Sequence, residues 1–315
     1  MEKLNPMDVK QSILQKINVT HLEKRGISLF IKRDDLIDPD ISGNKWRKLK
    51  FNIELCRSKK KEGVLTFGGA YSNHLVATAA ACNKANLRSV GLVRGEELNA
   101  KSNSTLKRCV ELGMELKFIP REEYAMRNDK GYHETLGADY PTLQLVPEGG
   151  ANYYGMIGCQ EIWTEIDQEL DHVFLAQGTT TTSCGLVFGT ESSQKVHVVP
   201  ALKGFDSIGE MIALFSKTGI DQETISDIME RVVVHPDYHF GGYAKYTSEL
   251  IEFLRSFYSE YGIKLDPIYT GKAMFALMKE LESPAYDNAK VLFIHTGGLQ
   301  GVAGVETKLG EKIFQ

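Results

Sequence analysis

A chain of 315 residues holds about two domains, at roughly 150 residues each, and can bury a substantial core. With 42% hydrophobic and 25% charged residues it has the make-up of an ordinary globular protein, which excludes a disordered or collagen-like chain. Its 37 basic against 41 acidic side chains leave a net charge of -4, so no broad basic field invites nucleic acid or an anionic membrane, and a small ligand is expected instead.

In chain order, short apolar and β-branched runs predict strands at Ser28 to Arg33, Val64 to Phe67, Ser89 to Val93, Glu115 to Ile119, Leu143 to Val146, His172 to Leu175, Lys195 to Val199, Arg231 to Val234 and Val291 to Ile294. Helical spacing falls between them at Asn73 to Ala85, Ser104 to Leu112, Gly155 to Leu170, Ile208 to Phe215, Lys245 to Tyr261 and Lys272 to Leu281. Strands that alternate with helices imply an α/β fold, with a parallel sheet covered on both faces. No linker, repeat or low-complexity tract marks a domain boundary.

Cys56, Cys82, Cys109, Cys159 and Cys184 are odd in number and widely spread, without metal-ligand spacing, so reduced core thiols and no metal are expected. The start, MEKLNPMDVKQSILQKINV, lacks the apolar core of a secretory signal, and no apolar run reaches membrane-spanning length. A cytoplasmic protein is the expectation.

In open α/β sheets ligands sit at loops that leave the carboxyl ends of strands, and four regions stand out as such loops at one face of one sheet. Ser42-Gly43-Asn44-Lys45-Trp46-Arg47-Lys48 sets three cations in one helical turn; a solvated helix start would explain them, yet cations there oppose the helix dipole unless an anion binds. Phe67-Gly68-Gly69-Ala70-Tyr71-Ser72-Asn73-His74 can cap a helix or hold a carboxylate. Gln177-Gly178-Thr179-Thr180-Thr181-Thr182-Ser183-Cys184-Gly185 is either a Thr-rich turn or a phosphate cup, but neither a Walker loop nor a dinucleotide fingerprint. The fourth region joins Asp266-Pro267-Ile268-Tyr269-Thr270-Gly271-Lys272 to Phe293-Ile294-His295-Thr296-Gly297-Gly298, where Tyr269 alone reads as a packed aromatic and His295 alone as a satisfied core histidine.

Together these loops resemble the fold-type-II, tryptophan synthase beta-like pyridoxal 5′-phosphate enzymes, in particular the 1-aminocyclopropane-1-carboxylate deaminase and D-cysteine desulfhydrase family. Ile31-Lys32-Arg33-Asp34-Asp35-Leu36 and Val146-Pro147-Glu148-Gly149-Gly150-Ala151-Asn152 extend the resemblance over most of the chain. It implies a larger cofactor domain from residues 1–47 and 161–315, a smaller α/β domain from 48–160 closing over the substrate, and a homodimer. It also implies pyridoxal 5′-phosphate as cofactor and a small amino acid as substrate.

By the same resemblance Lys45 condenses with the cofactor aldehyde, a role that needs a neutral amine and that the neighbouring Arg47 and Lys48 favour by charge repulsion. Lys48 and the loop Gly178, Thr179, Thr180, Thr181 and Thr182 match phosphate contacts. Asn73 faces the ring hydroxyl, Ser72 the substrate carboxylate, and Tyr269 is an active-site tyrosine; Tyr71, His74 and Thr296 complete the substrate side. Thr270 stands where the family's deaminases place a glutamate against the pyridine nitrogen, and Thr296 where they have leucine. Both departures resemble the desulfhydrases, because a neutral hydroxyl there leaves a weaker electron sink, sufficient for β-elimination.

The implied reaction is therefore β-elimination from D-cysteine or a related amino acid, giving pyruvate, ammonia and sulfide. Ring opening of 1-aminocyclopropane-1-carboxylate to 2-oxobutanoate and ammonia is the alternative, started by Ser72 or Tyr269. A non-catalytic protein that binds a phosphate ligand in the Thr-rich cup is an alternative of another class. Tyr71, where the family usually has glutamine, and Thr180, Thr181 and Ser183 in the cup depart from the family pattern and leave the substrate open.

Overall fold

The computed structural model describes residues 12–41 and 43–315. The first eleven residues, on which the expectation about a secretory signal chiefly bears, and Ser42 of the lysine loop lie outside the described residues. Among them ten strands run in chain order: β1 Leu14–Ile17, β2 Ser28–Lys32, β3 Gly63–Gly68, β4 Arg88–Arg94, β5 Glu115–Ile119, β6 Leu143–Val146, β7 His172–Gln177, β8 Lys195–Pro200, β9 Val232–Val234 and β10 Lys290–Ile294. They form two sheets, as two α/β domains require, one of six strands in the order β1-β2-β10-β7-β8-β9 and one of four in the order β5-β4-β3-β6.

The chain divides accordingly into Asp38–Cys159, which holds the smaller sheet, and residues 12–37 with Gln160–Gln315, which hold the larger. Within the smaller unit Asp38 pairs with Lys84 at 2.5 Å and Asp40 with Arg108 at 2.7 Å.

In the smaller unit every strand pair is parallel, with Phe67 opposite Leu92 and Val93 opposite Phe118. β3 is buried along its whole length, which is why its sequence, GVLTFG, shows no alternation. Phe67, Leu92, Ile119, Tyr124 and Leu136 form a core on one face, and Leu75, Ala79, Leu106 and Met114 one on the other.

The larger unit is parallel throughout except at β1, which pairs antiparallel with β2. β1 goes unannounced because its sequence, LQKI, buries only Ile17 and has no apolar run. The helix expected over Gly155 to Leu170 stops at Gln160 and tightens into a 3-10 turn over Glu161–Glu165. There the Trp163 indole donates to the Leu186 carbonyl at 2.9 Å and packs so close to Gly189 that a Cβ would stand 2.4 Å from its ring. A tertiary contact thus overrides helical spacing. The sequence announces only the first turn of the helix Asn44–Ser58, although Trp46, Leu49, Ile53 and Cys56 bury one stripe along it.

A chain of imidazoles crosses β7, β8 and the residue after β9. His172 Nδ1 meets His197 Nε2 at 3.0 Å and His197 Nδ1 meets His235 Nε2 at 2.9 Å, while His235 Nδ1 faces Glu280 at 3.5 Å. Because a carboxylate only accepts, the consistent arrangement has each ring donating from Nδ1 and accepting at Nε2. Phe174 stacks on His197 with centroids 4.1 Å apart. Burial, reinforced by His235, His172 and Lys195, pushes His197 down to about 2.

The unfolded chain takes up a proton near pH 6.5 that this folded ring refuses, so the unfolded state binds more protons as the solution is acidified. Stability that is intact above pH 6.5 is therefore lost as pH falls toward the folded value, by about 2 kcal/mol at pH ~5 for this one ring. Urea unfolding of the parent and of His197→Gln at both pH values checks this: the parent should lose about 2 kcal/mol more than the variant. Equal losses would remove His197 as the cause.

Candidate active site

The residues singled out in the sequence fall into two sets. Lys45, Lys48, Tyr71, Ser72, Asn73 and His74 lie in the smaller unit, and Gly178 to Thr182, Tyr269, Thr270 and Thr296 in the larger. The expectation of one face of one sheet is thereby corrected. The Gly68–His74 loop leaves β3, whereas the 178–182 and 295–298 segments leave β7 and β10 of the other sheet, and the Asp266–Lys272 segment follows the helix Ser248–Tyr261 rather than a strand.

In the smaller unit Gly43, at φ 65°, starts the helix Asn44–Ser58, whose first turn contains no acid. Lys45 is half-buried and its Nζ donates to Asn44 Oδ1 at 2.7 Å, while Lys48 is 1% exposed. Gly150, at φ 70°, lies against Lys48 so closely that a Cβ would stand 2.9 Å from the lysine Cβ. The Asn52 and Asn152 amides bond to each other at 2.8 and 3.2 Å, and Asn52 also donates to the Lys48 carbonyl at 2.7 Å. The Glu148–Asn152 segment is thereby tied to the lysine helix.

At the end of β3 the chain turns at Gly68, where a Cβ would meet Leu75 at 2.5 Å, and enters the helix Asn73–Lys84. Ser72 caps it by accepting from the Leu75 amide at 3.4 Å, a long bond that leaves the hydroxyl oriented but weakly held. Tyr71 points outward at 74% exposure. His74 is 3% exposed, and its Nε2 lies 2.9 Å from Thr66 Oγ1, which itself donates to the Val146 carbonyl at 2.8 Å.

Since the Thr66 proton is committed to that carbonyl, His74 must donate from Nε2. Its Nδ1 is then a bare, buried acceptor, and it has no partner. Burial first, then the charges of Lys45 and Lys48, push the ring down to about 3, so it stays neutral at working pH. Thr66, which sets this tautomer, carries no signal in the sequence beyond being a hydroxyl in an apolar strand.

In the larger unit β7 and β10 are neighbours, with Leu175 opposite Ile294, so their carboxyl ends set the 178–182 loop beside the 295–298 turn. Thr179 is exposed, while Thr180, Thr181, Thr182 and Ser183 are buried where the helix Thr181–Phe188 begins. Gln177 Nε2 donates to Ser183 Oγ, which donates to the Thr180 carbonyl, both at 2.8 Å. Thr181 Oγ1 and Gln177 Oε1 are buried without a partner. Of these, the Thr181 hydroxyl, in the first turn of the helix, can donate to an acceptor-rich group bound there, whereas the Gln177 oxygen can only accept.

Tyr269 closes this cup from the side: a Cβ on Gly178 would stand 2.8 Å from its Cε1. It precedes the helix Thr270–Glu280, whose start is organised by the fully buried Asp266. That carboxylate accepts from the Ile268, Tyr269 and Thr270 amides at 2.8–2.9 Å and from the Thr270 hydroxyl at 2.7 Å, while Thr270 Oγ1 accepts from the Asp266 amide at 2.9 Å. Burial raises the Asp266 carboxyl above the usual range, and the bonds from Thr270, Tyr269 and Ile268 oppose it. The Thr270 proton is thus committed to Asp266, leaving its oxygen as an acceptor.

His295 is a satisfied core residue, donating from Nε2 to the Lys264 carbonyl at 2.7 Å and accepting from the Gly297 amide at 3.3 Å. Those bonds hold the turn that carries Thr296. Sequence reasoning missed Tyr243, which is 54% exposed and packs edge-on against Tyr269 with centroids 6.1 Å apart. The adjoining Gly241-Gly242 pair was the available signal.

The profile described as Pyridoxal-phosphate dependent enzyme matches residues 12–297. A putative 1-aminocyclopropane-1-carboxylate deaminase of Pyrococcus abyssi is 31% identical over 296 residues, covering 88% of this chain and 86% of the relative. The bifunctional D-cysteine desulfhydrase/1-aminocyclopropane-1-carboxylate deaminase, mitochondrial, of Arabidopsis thaliana is 32% identical over 302 residues, covering 88% and 74%. Among solved structures, an ACC deaminase homologue superposes with a TM-score of 0.75 at 27% identity, covering 95% of this chain and 93% of that one.

Proposed function

Because the chain belongs to the pyridoxal-phosphate dependent enzyme family, we propose that it eliminates the β-substituent of a small amino acid, D-cysteine or a close analogue, releasing pyruvate, ammonia and sulfide. The observation that carries this reading is at Thr270. No acid stands in the first turn of its helix, and its hydroxyl is held by Asp266, so the chain offers a neutral oxygen where a strong electron sink calls for a carboxylate. When bound, the cofactor supplies an aldehyde that condenses with amino groups and a ring that accepts the electron pair freed at the substrate α-carbon.

The residues fit that cofactor. The buried, unpartnered Thr181 hydroxyl supports the 178–182 cup as the holder of the phosphate, since it lacks only an acceptor oxygen. Lys48 enters the proposal as a phosphate contact on the family resemblance alone. Asn73 holds the ring hydroxyl, and Ser72, at the start of a twelve-residue helix, holds the substrate carboxylate in the field of that helix. Lys45 takes the α-proton, the thiol leaves from the β-carbon as sulfide, and water completes the conversion to pyruvate and ammonia. His74 stays neutral beside the lysines and adds no third charge there.

A second reading, ring opening of 1-aminocyclopropane-1-carboxylate, is favoured by the relatives that are named as deaminases of that substrate. That substrate has no α-proton, so Ser72 or Tyr269 would have to begin the reaction. A homodimer is part of the proposal by family resemblance, and a cytoplasmic setting accords with five buried, unbridged cysteines.

Purified, cofactor-saturated protein separates the two. Pyruvate from D-cysteine without 2-oxobutanoate from the cyclopropane amino acid is the expected result. Ring opening without pyruvate would replace the first reading by the second.

A further inference from the structure

One buried lysine has no part in the chemistry above. Lys272 is 1% exposed, and its Nζ donates to the carbonyls of His239 and Gly242, both at 2.8 Å. Burial pushes its pKa to about 8, against the pull of the Asp266 charge. Placing an ammonium in such a site is unfavourable, and a methionine of similar length would fill the space.

The segment it grips is strained. Phe240, Gly241, Gly242 and Ala244 hold φ values of 51°, 92°, 112° and 55°, so four of the five residues from 240 to 244 lie in the left-handed region. Phe240 and Ala244 carry side chains that disfavour that conformation. Within the segment the Gly241 amide donates to His239 Nδ1 at 2.9 Å, the Gly242 amide to the His239 carbonyl at 3.0 Å, and the Lys245 amide to the Gly242 carbonyl at 3.1 Å. The same two carbonyls accept from Lys272, so the lysine closes the loop at its two inward-facing points.

The helix Thr270–Glu280 attaches to this segment and its approach through three side chains. Lys272 takes the two carbonyls, Phe275 meets the Phe240 ring edge-on at 5.1 Å, and Glu280 accepts from the Tyr238 hydroxyl at 2.8 Å. Lys272 and Phe275 are surface neighbours at i and i+3, while Glu280, five residues beyond Phe275, lies further round the helix. The residue this scaffold presents is Tyr243, the one member of 240–244 without a positive φ, packed on Tyr269 beside Gly178.

We propose that Lys272 is a positioning residue, whose buried ammonium clamps the 239–245 loop through the His239 and Gly242 carbonyls and so fixes Tyr243 against Tyr269 at the edge of the substrate pocket. The inference rests on the pyridoxal-phosphate reading above for what the pocket binds, but not for the clamp itself.

The holoenzyme of Lys272→Met is compared with the parent by amide hydrogen exchange over 239–246 and by the separate kcat and KM for D-cysteine. Exchange should rise at least tenfold in that segment, with the helix Ser248–Tyr261 unchanged, and KM should rise about tenfold with kcat within threefold. Gly242→Ala keeps the lysine but burdens a residue at φ 112°, and it should reproduce both effects; it carries the test if Lys272→Met does not fold. Parental exchange over 239–246 overturns the clamp, and faster exchange with an unmoved KM overturns its link to the pocket. A parent inactive on D-cysteine overturns the proposed reaction, while the exchange measurement still decides the clamp.

Discussion

Replacing Lys45 by alanine should lower elimination from D-cysteine by about a thousandfold or more, because one side chain both bonds the cofactor and carries the proton. The residue is placed for it. It occupies the acid-free first turn of its helix, half-buried, with its Nζ steadied by Asn44 and with Lys48 buried one turn on. No other lysine in that turn serves, since Lys48 is closed off at 1% exposure against Gly150.

Borohydride reduction of the holoenzyme followed by peptide mapping should mark Lys45 alone in the parent and nothing in the variant. A small external amine should restore part of the lost rate by taking up the proton in its place. A mark on a different lysine, or a variant that keeps both its colour and its rate, would sink the assignment.

The second large effect concerns stability. Removing the Asp266 carboxylate strands the buried amide and hydroxyl of Thr270 and the part-buried amides of Ile268 and Tyr269, which now all donate to it. Leaving several such donors unpaired costs about 4 kcal/mol, and Asp266→Ala should lower Tm by roughly 8 °C or more. Asp266→Asn keeps the volume and one acceptor but turns an amide toward a donor, so about half that loss is expected. Thermal unfolding followed by circular dichroism reads both. A change under about 1 °C in the alanine variant would mean that water satisfies these groups, and that Asp266 does not organise the start of the helix.

The two predictions differ in how much of them the sequence discloses. Lys45 is legible because three cations at a helix start are electrostatically odd, and an oddity is what a one-dimensional reading detects. Asp266 lies within a quoted motif, yet its part depends on four donors converging from the chain around it, which only the folded turn reveals. His74 is intermediate: position two of a helix is readable, but its neutral, Nδ1-bare state follows from Thr66 and the Val146 carbonyl, which β3 and β6 bring to it. Tyr243 was passed over because nothing nearby in sequence shows that a glycine-rich loop folds back on Tyr269.

The alternation of apolar runs and helical spacing determined the α/β class and most strand positions, because burial on both faces of a parallel strand leaves an uninterrupted apolar signature. Local chemistry determined the glycine turns, the Ser72 cap and the Thr-rich cup, since each depends on the conformation of a few consecutive residues. Tertiary structure alone decided which strands neighbour one another in each sheet, that β1 joins its sheet antiparallel, and that the 155–170 segment breaks at Gln160. Those outcomes depend on pairings between residues far apart in the chain: β10 with β2 and β7, β1 with β2, and Trp163 with Leu186. Such pairings leave no periodicity behind, because their energy comes from partners that only folding makes neighbours.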